Sequence, residues 1–403
     1  MIQNFITIYK RLLNATEYTT HRYLYREFNI KNKLTGLIGP RGTGKTTLLL
    51  QYIKEKINDK DSCIYVSLDH IYFAKNLLVD FVQELYEING IKTYFFDEIH
   101  KYPAWNQELK NLYDIYPDIK IIFSGSSSID LMKGSYDLSR RAILYKIEGL
   151  SFREYLWFKN IAKFEPFNFN SLISNKNYYE NELNKIDKIR GHFRNYLNKG
   201  YYPFFLEDEK TYYEKLIRII EKIISEDIAN YYKLKTENLF YFKKIIAYVA
   251  SIPPGELNYN NISKNIRLDN KTVNNYLNIL HETGIAELVQ TEKSGSNVLR
   301  QKEKIYLNNP DIYQAVANEI GFDCRTGSIR EIFFIKMIKN SSNKIFYSPI
   351  GDFEVNGKYF EIGGKNKGIN QIKDNLKNSF LVKDDITFSG KYEIPLYLFG
   401  FLY

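Results

Sequence analysis

The stretch GPRGTGKTTL, Gly39 to Leu48, follows the apolar run LTGLIG and leads into LLLQYIKEK. Glycines at 39, 42 and 44 let the backbone wrap so that successive N–H groups point inward, a concavity suited to phosphate oxygens. Gly39, Gly44, Lys45 and Thr46 have the spacing of a P-loop. The reading therefore predicts a strand over the apolar run and a helix from about Lys45, whose free N–H groups and dipole favour an anion. Gly39, Pro40, Arg41, Gly42, Thr43, Gly44, Lys45, Thr46 and Thr47 are the expected nucleotide-binding residues. Lys45 is expected to reach the β- and γ-phosphates and the Thr46 hydroxyl to ligate Mg²⁺, so ATP and Mg²⁺ are the expected cofactors.

A P-loop predicts a partner strand ending in aspartate. IKTYFFDEIHKYP supplies it: Tyr94, Phe95 and Phe96 read as a buried parallel strand with Asp97 and Glu98 at its carboxyl end. Asp97 is expected to hold Mg²⁺ through water and Glu98 to act as general base on the attacking water. Alone, the acidic pair would read as a cap on the next helix; beside a P-loop it points to hydrolysis. A further apolar strand, DIKIIFSGSSS, ends in Ser124 and Ser126. A polar residue there can sense the γ-phosphate, with Ser124 the first candidate and Ser126 the second; turn chemistry is the alternative. Arg140 and Arg141 follow about fifteen residues later. Arg141 is the preferred candidate for stabilising charge on a nucleotide, its own or a neighbour's; a solvated or ion-paired arginine is the alternative.

The chain has 403 residues, enough for two or three domains. No apolar run reaches the roughly 18 residues of a membrane span, and the amphipathic start MIQNFITIYKRLLN does not read as a signal peptide. Cys63 and Cys324, the only cysteines, form neither a zinc pattern nor a disulfide framework, so a reducing cytoplasm is the expected location and no membrane partner is expected. The net charge of +9 is spread thinly: residues 251–310 hold seven basic and six acidic side chains, a net +1. That is weak support for nucleic acid, which usually meets a concentrated basic face.

Four regions are expected: a P-loop core over 1–150, a helical lid over 151–250, a winged helix over 251–310 and a small α/β domain over 311–403. The fold class is α/β, a P-loop parallel sheet with these additions. In the lid, Leu216, Ile219, Ile220, Ile223 and Ile224 recur at helical spacing, and the Asn-rich residues 163–185 read as an insertion or mobile loop. After Pro253 and Pro254 comes a helix–turn–helix, with Asp269 or Asn270 capping the second helix and Gly284 ending it. A two-stranded wing with a turn near 294–297 is expected next. Lys271, Asn274, Asn275 and Asn278 would face DNA, or a protein partner, from the second helix.

The last hundred residues read as helix (SIREIFFIKMIKN), strands (KIFYS, GDFEV, KYFEIGG), helix (INQIKDNLKN) and strand (IPLYLFGFL). That order resembles the PD-(D/E)xK nuclease core, with Glu331, Asp352 and Glu361 where the fold places metal-binding carboxylates. Its lysine is missing at the usual spacing: residue 363 is glycine, and Lys365 lies two positions late. The domain is expected to be a degenerate nuclease.

GPRGTGKTTLL, FFDEIHKYPAWNQELKNLYD, IIFSGSSS, the arginine before GLSFREYL, and YLNKGYYPFF together resemble the bacterial and archaeal AAA+-like ATPases that carry a winged helix and a C-terminal nuclease-like domain. The likeness is specific over about 200 residues and looser beyond. It implies ATP binding and hydrolysis and leaves the job open; the leading reading is a nucleotide-driven switch or motor, with DNA and a second copy of the chain (a homo-oligomer) as the candidate partners. The alternatives are an ATP-gated DNA-binding protein and a DNA nuclease acting in defence.

Overall fold

The computed structural model describes residues 2–17, 19–126, 138, 140–292 and 302–403. The chain divides into two compact units, 1–149 and 150–403.

The first unit is built on five parallel strands: β1 Leu34–Gly39, β2 Cys63–Ser67, β3 Thr93–Asp97, β4 Lys120–Ser126 and β5 Ala142–Lys146, in the order β2-β3-β4-β1-β5. β1 is buried at every position, as the near-continuous apolar runs of a sheet covered on both faces require. Helices α1 Ile2–Ala15, α2 Lys45–Lys56, α3 Leu78–Asn89 and α4 Trp105–Ile115 belong to this unit. Leu48, Leu49, Ile53, Phe81, Val82 and Leu85 from the helices join Leu37, Phe95, Phe96 and Phe123 from the strands in one core. Each such side chain contributes about 1.5–3 kcal/mol on burial.

The strand order positions the site. β4 pairs with β1 on one side and β3 on the other, Gly39 opposite Ser126 and Phe96 opposite Phe123. Parallel strands end at the same edge, so the residues after β1, β3 and β4 form one row. Ligands of open α/β sheets bind at that carboxyl edge.

In the second unit, residues 163–185, expected as an insertion or mobile loop, are partly helical. They hold helices Phe169–Ser174 and Lys176–Leu183, and the Asn168 side chain caps the first by accepting from Asn170 N and Ser171 N. Phe169, Leu172, Ile173 and Leu183 are buried. Asn168 caps a helix here, a role that composition alone does not distinguish from loop. The helix Tyr212–Lys222 runs into a π-helical turn, Ile223–Ile228.

Helices Tyr259–Ile266 and Asn270–Glu282 follow, the second capped by Asp269, whose side chain accepts from Thr272 N at 2.9 Å. Gly284 takes a φ of +74° past its end. β6 Ala286–Gln290 and β7 Glu303–Leu307 pair antiparallel. The expected wing turn at 294–297 lies outside the described residues.

The C-terminal sheet has β8 Ile345–Tyr347, β9 Phe353–Val355, β10 Lys358–Gly363, β11 Ser379–Lys383 and β12 Glu393–Pro395, in the order β12-β11-β10-β9-β8. β10 and β11 are parallel, β9 and β10 antiparallel. The helix Thr326–Asn340 places Phe334 against Phe353, Phe360 and Phe399. Two expected elements differ. The helix expected over 369–378 is only a kinked 3-10 segment, Lys373–Asn378. The strand expected from Ile394 stops at Pro395 and becomes a 3-10 helix, Leu396–Phe401. Proline removes a ladder donor, and a run buried on every side has no alternation to separate strand from helix.

Candidate functional site

The phosphate loop takes its shape from its glycines. Gly42 and Gly44 have φ of +80° and +90°, which side-chain-bearing residues rarely adopt. A Cβ on Gly39 would lie 2.1 Å from the carbonyl oxygen of Ile147. Helix α2 begins at Lys45 with no side-chain cap, so its first-turn N–H groups are available to an anion. The Lys45 ammonium donates to the carbonyls of Gly39 and Pro40, both at 2.9 Å. Thr43 braces the turn through Oγ1 to Pro40 O at 2.8 Å.

Asp97, 2% exposed at the end of β3, gathers hydrogen bonds from four directions. Thr46 Oγ1 donates to Oδ2 at 2.5 Å and Tyr65 OH to the same oxygen at 2.7 Å. Ser124 Oγ and the Glu98 N–H donate to Oδ1, the latter at 3.0 Å. The hydroxyl and carboxylate expected to share a metal, 51 residues apart, therefore meet beside the loop. Burial, and then the Asp97 carboxylate, push the Tyr65 phenol far above its ordinary value, so it remains a neutral donor. Glu98 follows with φ 52° and ψ 39°, a left-handed conformation that non-glycine residues keep only where the surroundings impose it. Its carboxylate Oε2 is 3.4 Å from Nε2 of His100.

Of the two serine candidates, Ser124 faces Asp97, while Ser126 Oγ lies 3.3 Å from His100 Nε2. Arg141 lies elsewhere. Its guanidinium pairs with Asp114 at 3.3 Å and sits over the Tyr113 ring at 5.5 Å. β5 runs parallel to β1 with Ala142 opposite Leu34, so Arg141 stands at the amino edge of the sheet. The loop leaves the opposite edge, about 16 Å along the strand at ~3.3 Å per residue. Strand direction thus removes the alternative in which Arg141 serves its own nucleotide, which leaves the ion-paired arginine, seen here with Asp114, and a role on a neighbour's nucleotide. Arg141→Ala is expected to leave turnover per subunit unchanged in monomers and to cost under about 1 kcal/mol of stability, as exposed pairs do. Parallel measurements of turnover, mass and denaturant midpoint check this. A loss confined to oligomers would assign Arg141 to a neighbour.

Two residues of the site carry no motif. Tyr65 reads in the sequence as one more core aromatic of CIYVS. Arg22, 5% exposed, donates to the Thr43 carbonyl through Nη1, and through Nη2 to Glu148 O at 2.7 Å and Gly149 O at 3.0 Å. It ties the phosphate loop to the last residues of the first unit.

In the C-terminal sheet, Glu331 accepts from Tyr306 OH at 2.7 Å, and Asp352 accepts from Ile362 N at 2.8 Å. Burial first, then the Asp352 charge, push Glu331 up to about 7 and raise Glu361 as well. The lysine here is Lys367, not Lys365. Lys367 pairs with Glu361, which is fully buried, whereas Lys365 is exposed. A side chain on Gly363 would strike the Lys367 stem at 2.5 Å, so the bare backbone at 363 admits the later lysine. Among the described residues, no three His, Cys, Asp or Glu side chains come together in a metal-holding group, and no helix is long and apolar enough to cross a membrane.

Known proteins share parts of this chain. Residues 31–156 match an AAA domain, and residues 190–321 match a domain of unknown function, DUF8612. The uncharacterized protein MJ1637 of Methanocaldococcus jannaschii is 31% identical over 344 residues, 80% of this chain and 72% of that one. The chain belongs to the family of that archaeal protein. Solved structures it resembles include a single-residue variant of Thermotoga maritima RuvB, with 13% identity over 80% of this chain and 95% of that one and a TM-score of 0.32. Another is AMPPCP-bound DnaA from Aquifex aeolicus, with 17% identity over 70% and 91% and a TM-score of 0.25. The AAA domain match spans β1 to β5, and so contains the loop, Asp97, Glu98 and both serines.

Proposed function

We propose that the protein binds ATP with Mg²⁺ at the carboxyl edge of the first sheet and hydrolyses it, driving a switch or motor through the second unit. The observation that carries this is the contact of Thr46 with Asp97 beside an uncapped helix start and a left-handed glycine loop. The donors are a hydroxyl and a carboxylate, the oxygen set of a hard cation that keeps waters and takes phosphate oxygens. When bound, Mg²⁺ neutralises charge developing on the phosphates. The chain's own residues supply the rest. The loop N–H groups and Lys45 bind and orient the phosphates, Tyr65 and Ser124 fix the Asp97 carboxylate, and Glu98 takes the proton of the attacking water. ATP turnover of the wild type beside Lys45→Ala and Glu98→Gln, with mass measured in each nucleotide state, tests the reading and the homo-oligomer together.

A second reading, DNA contact, is favoured by one observation. Lys271, Asn274, Asn275 and Asn278 are all exposed along the second helix of the helix–turn–helix, the arrangement we infer to be a winged helix. One cation among four positions neutralises few phosphates. At about −0.9 per phosphate, a log–log salt slope of roughly −1 to −3 is expected, read by titrating labelled duplex at several salt concentrations. A steep slope lost in Lys271→Glu would move DNA to first place. The same duplex and a plasmid, incubated with Mg²⁺ or Mn²⁺, are expected to remain uncut, because Lys367 is committed to Glu361 and, among the described residues, the carboxylates form no metal-holding group. Cutting abolished by both Asp352→Ala and Lys367→Ala would promote the nuclease alternative.

A further inference from the structure

His100 stands where three segments of the nucleotide site meet. Its side chain is 4% exposed. Nε2 lies 3.4 Å from Nη2 of Arg41 in the phosphate loop, 3.3 Å from Oγ of Ser126 at the end of β4, and 3.4 Å from Oε2 of Glu98. The ring is held there by a 3-10 turn, Ile99–Lys101. That turn is closed by Lys101 N to Glu98 O at 2.9 Å and by Tyr102 N to Ile99 O at 3.0 Å. Ile99, fully buried, anchors it.

One ring nitrogen thus faces a guanidinium, which only donates, and a carboxylate, which when ionised only accepts. It cannot serve both in one state. Bare, Nε2 accepts from Arg41. Carrying the ring proton, it donates to Glu98. The two arrangements differ only in whether that proton sits on Nδ1 or Nε2, with none gained or lost. Arg41 belongs to the loop expected to hold phosphates, and a guanidinium beside phosphate oxygens forms charge-assisted bonds roughly twice as strong as neutral ones. A bound triphosphate therefore competes with His100 for Arg41.

We propose that His100 is a positioning residue for Glu98 and relays to it whether the phosphate loop is filled. With the loop empty, Nε2 accepts from Arg41. Once phosphates draw Arg41 away, the ring proton moves to Nε2 and the imidazole donates to Glu98, fixing the carboxylate for water. This rests on Glu98 being the water-activating group.

The test compares His100→Ala, His100→Gln, Glu98→Gln and the double variant Glu98→Gln/His100→Ala with the wild type. ATP affinity, thermal unfolding and phosphate release are measured for each. His100→Ala is expected to bind ATP at least as tightly as the wild type, since the competitor for Arg41 is gone, and to lose about 10²-fold in kcat, the scale of a misplaced reacting group. His100→Gln, which can still donate, should recover part of that. The double variant should be no slower than Glu98→Gln alone, because the two residues act as one unit. A readout independent of turnover is the ¹⁵N spectrum of histidine-labelled wild type, with the His100 signals assigned by their loss in His100→Gln. Adding a non-hydrolysable ATP analogue should shift His100 from the Nδ1–H to the Nε2–H tautomer. Wild-type turnover by His100→Ala, full additivity in the double variant, or an unchanged tautomer each overturns the proposal. If Glu98→Gln itself turns over at the wild-type rate, the assignment of Glu98 fails and takes the relay with it. The two failures are thereby told apart.

Discussion

Glu98→Gln is expected to bind ATP as the wild type does and to release phosphate about 10²–10⁴ times more slowly, the range of a positioned general base. The amide keeps the size of the carboxylate and the backbone N–H that Glu98 gives to Asp97, so loop, helix start and metal donors stay in place. What disappears is an atom able to take a proton from water. Glu98 is well placed for that role: it follows the aspartate on β3, in a left-handed conformation, and its side chain is 24% exposed, close enough to solvent to hold a water. ATP affinity and single-turnover phosphate release, measured on the same preparation, check the prediction. Unchanged affinity with slow release is the expected pair. Equal release rates would remove Glu98 from catalysis and leave the site a nucleotide-binding one.

The first sheet was legible because its signals are local. A glycine loop between an apolar run and a helix start, and an apolar run ending in aspartate, each identify an element within a short window. The meeting of Thr46 with Asp97 then follows from parallel strands ending at a common edge. Arg141 shows where local reading stops. Its distance along the chain from β4 suggested the site, but the pairing of β5 with β1 decides which edge it occupies, and no residue near it encodes that choice. Arg22 and Tyr65 were hidden for a related reason. An arginine in HRYLYREF and a tyrosine in CIYVS acquire their roles only from carbonyls and a carboxylate supplied by other segments. Residues 163–185 misled through composition, since asparagine serves helix caps as well as loops. Lys367 was obscured because the glycines at 363 and 364 end strand alternation, and the turn beyond them decides which lysine returns to Glu361.

Lys45→Ala is expected to weaken ATP binding by on the order of 10²–10³-fold while leaving the fold intact. Removing one partner of a desolvated charge pair costs about 2–5 kcal/mol, and each 1.4 kcal/mol is tenfold in affinity. Lys45 is 5% exposed, so its ammonium would meet phosphates with little water between. It donates to the carbonyls of Gly39 and Pro40, contacts that would be exchanged for phosphate oxygens on ATP binding. Alanine leaves those carbonyls one donor short but breaks no strand pairing. The thermal midpoint should therefore stay close to that of the wild type. Gly39→Ala is the instructive contrast. Its Cβ would collide with the Ile147 carbonyl, so lost binding there should come with lost stability. Lys45→Arg should recover only part of the affinity, because a planar fork does not reproduce a compact point charge inside a closed loop. Titration of ATP against each variant, read beside its unfolding curve, separates charge from shape. Near-wild-type binding by Lys45→Ala would mean that the loop amides alone hold the phosphates and that the lysine acts later, on charge that develops during hydrolysis.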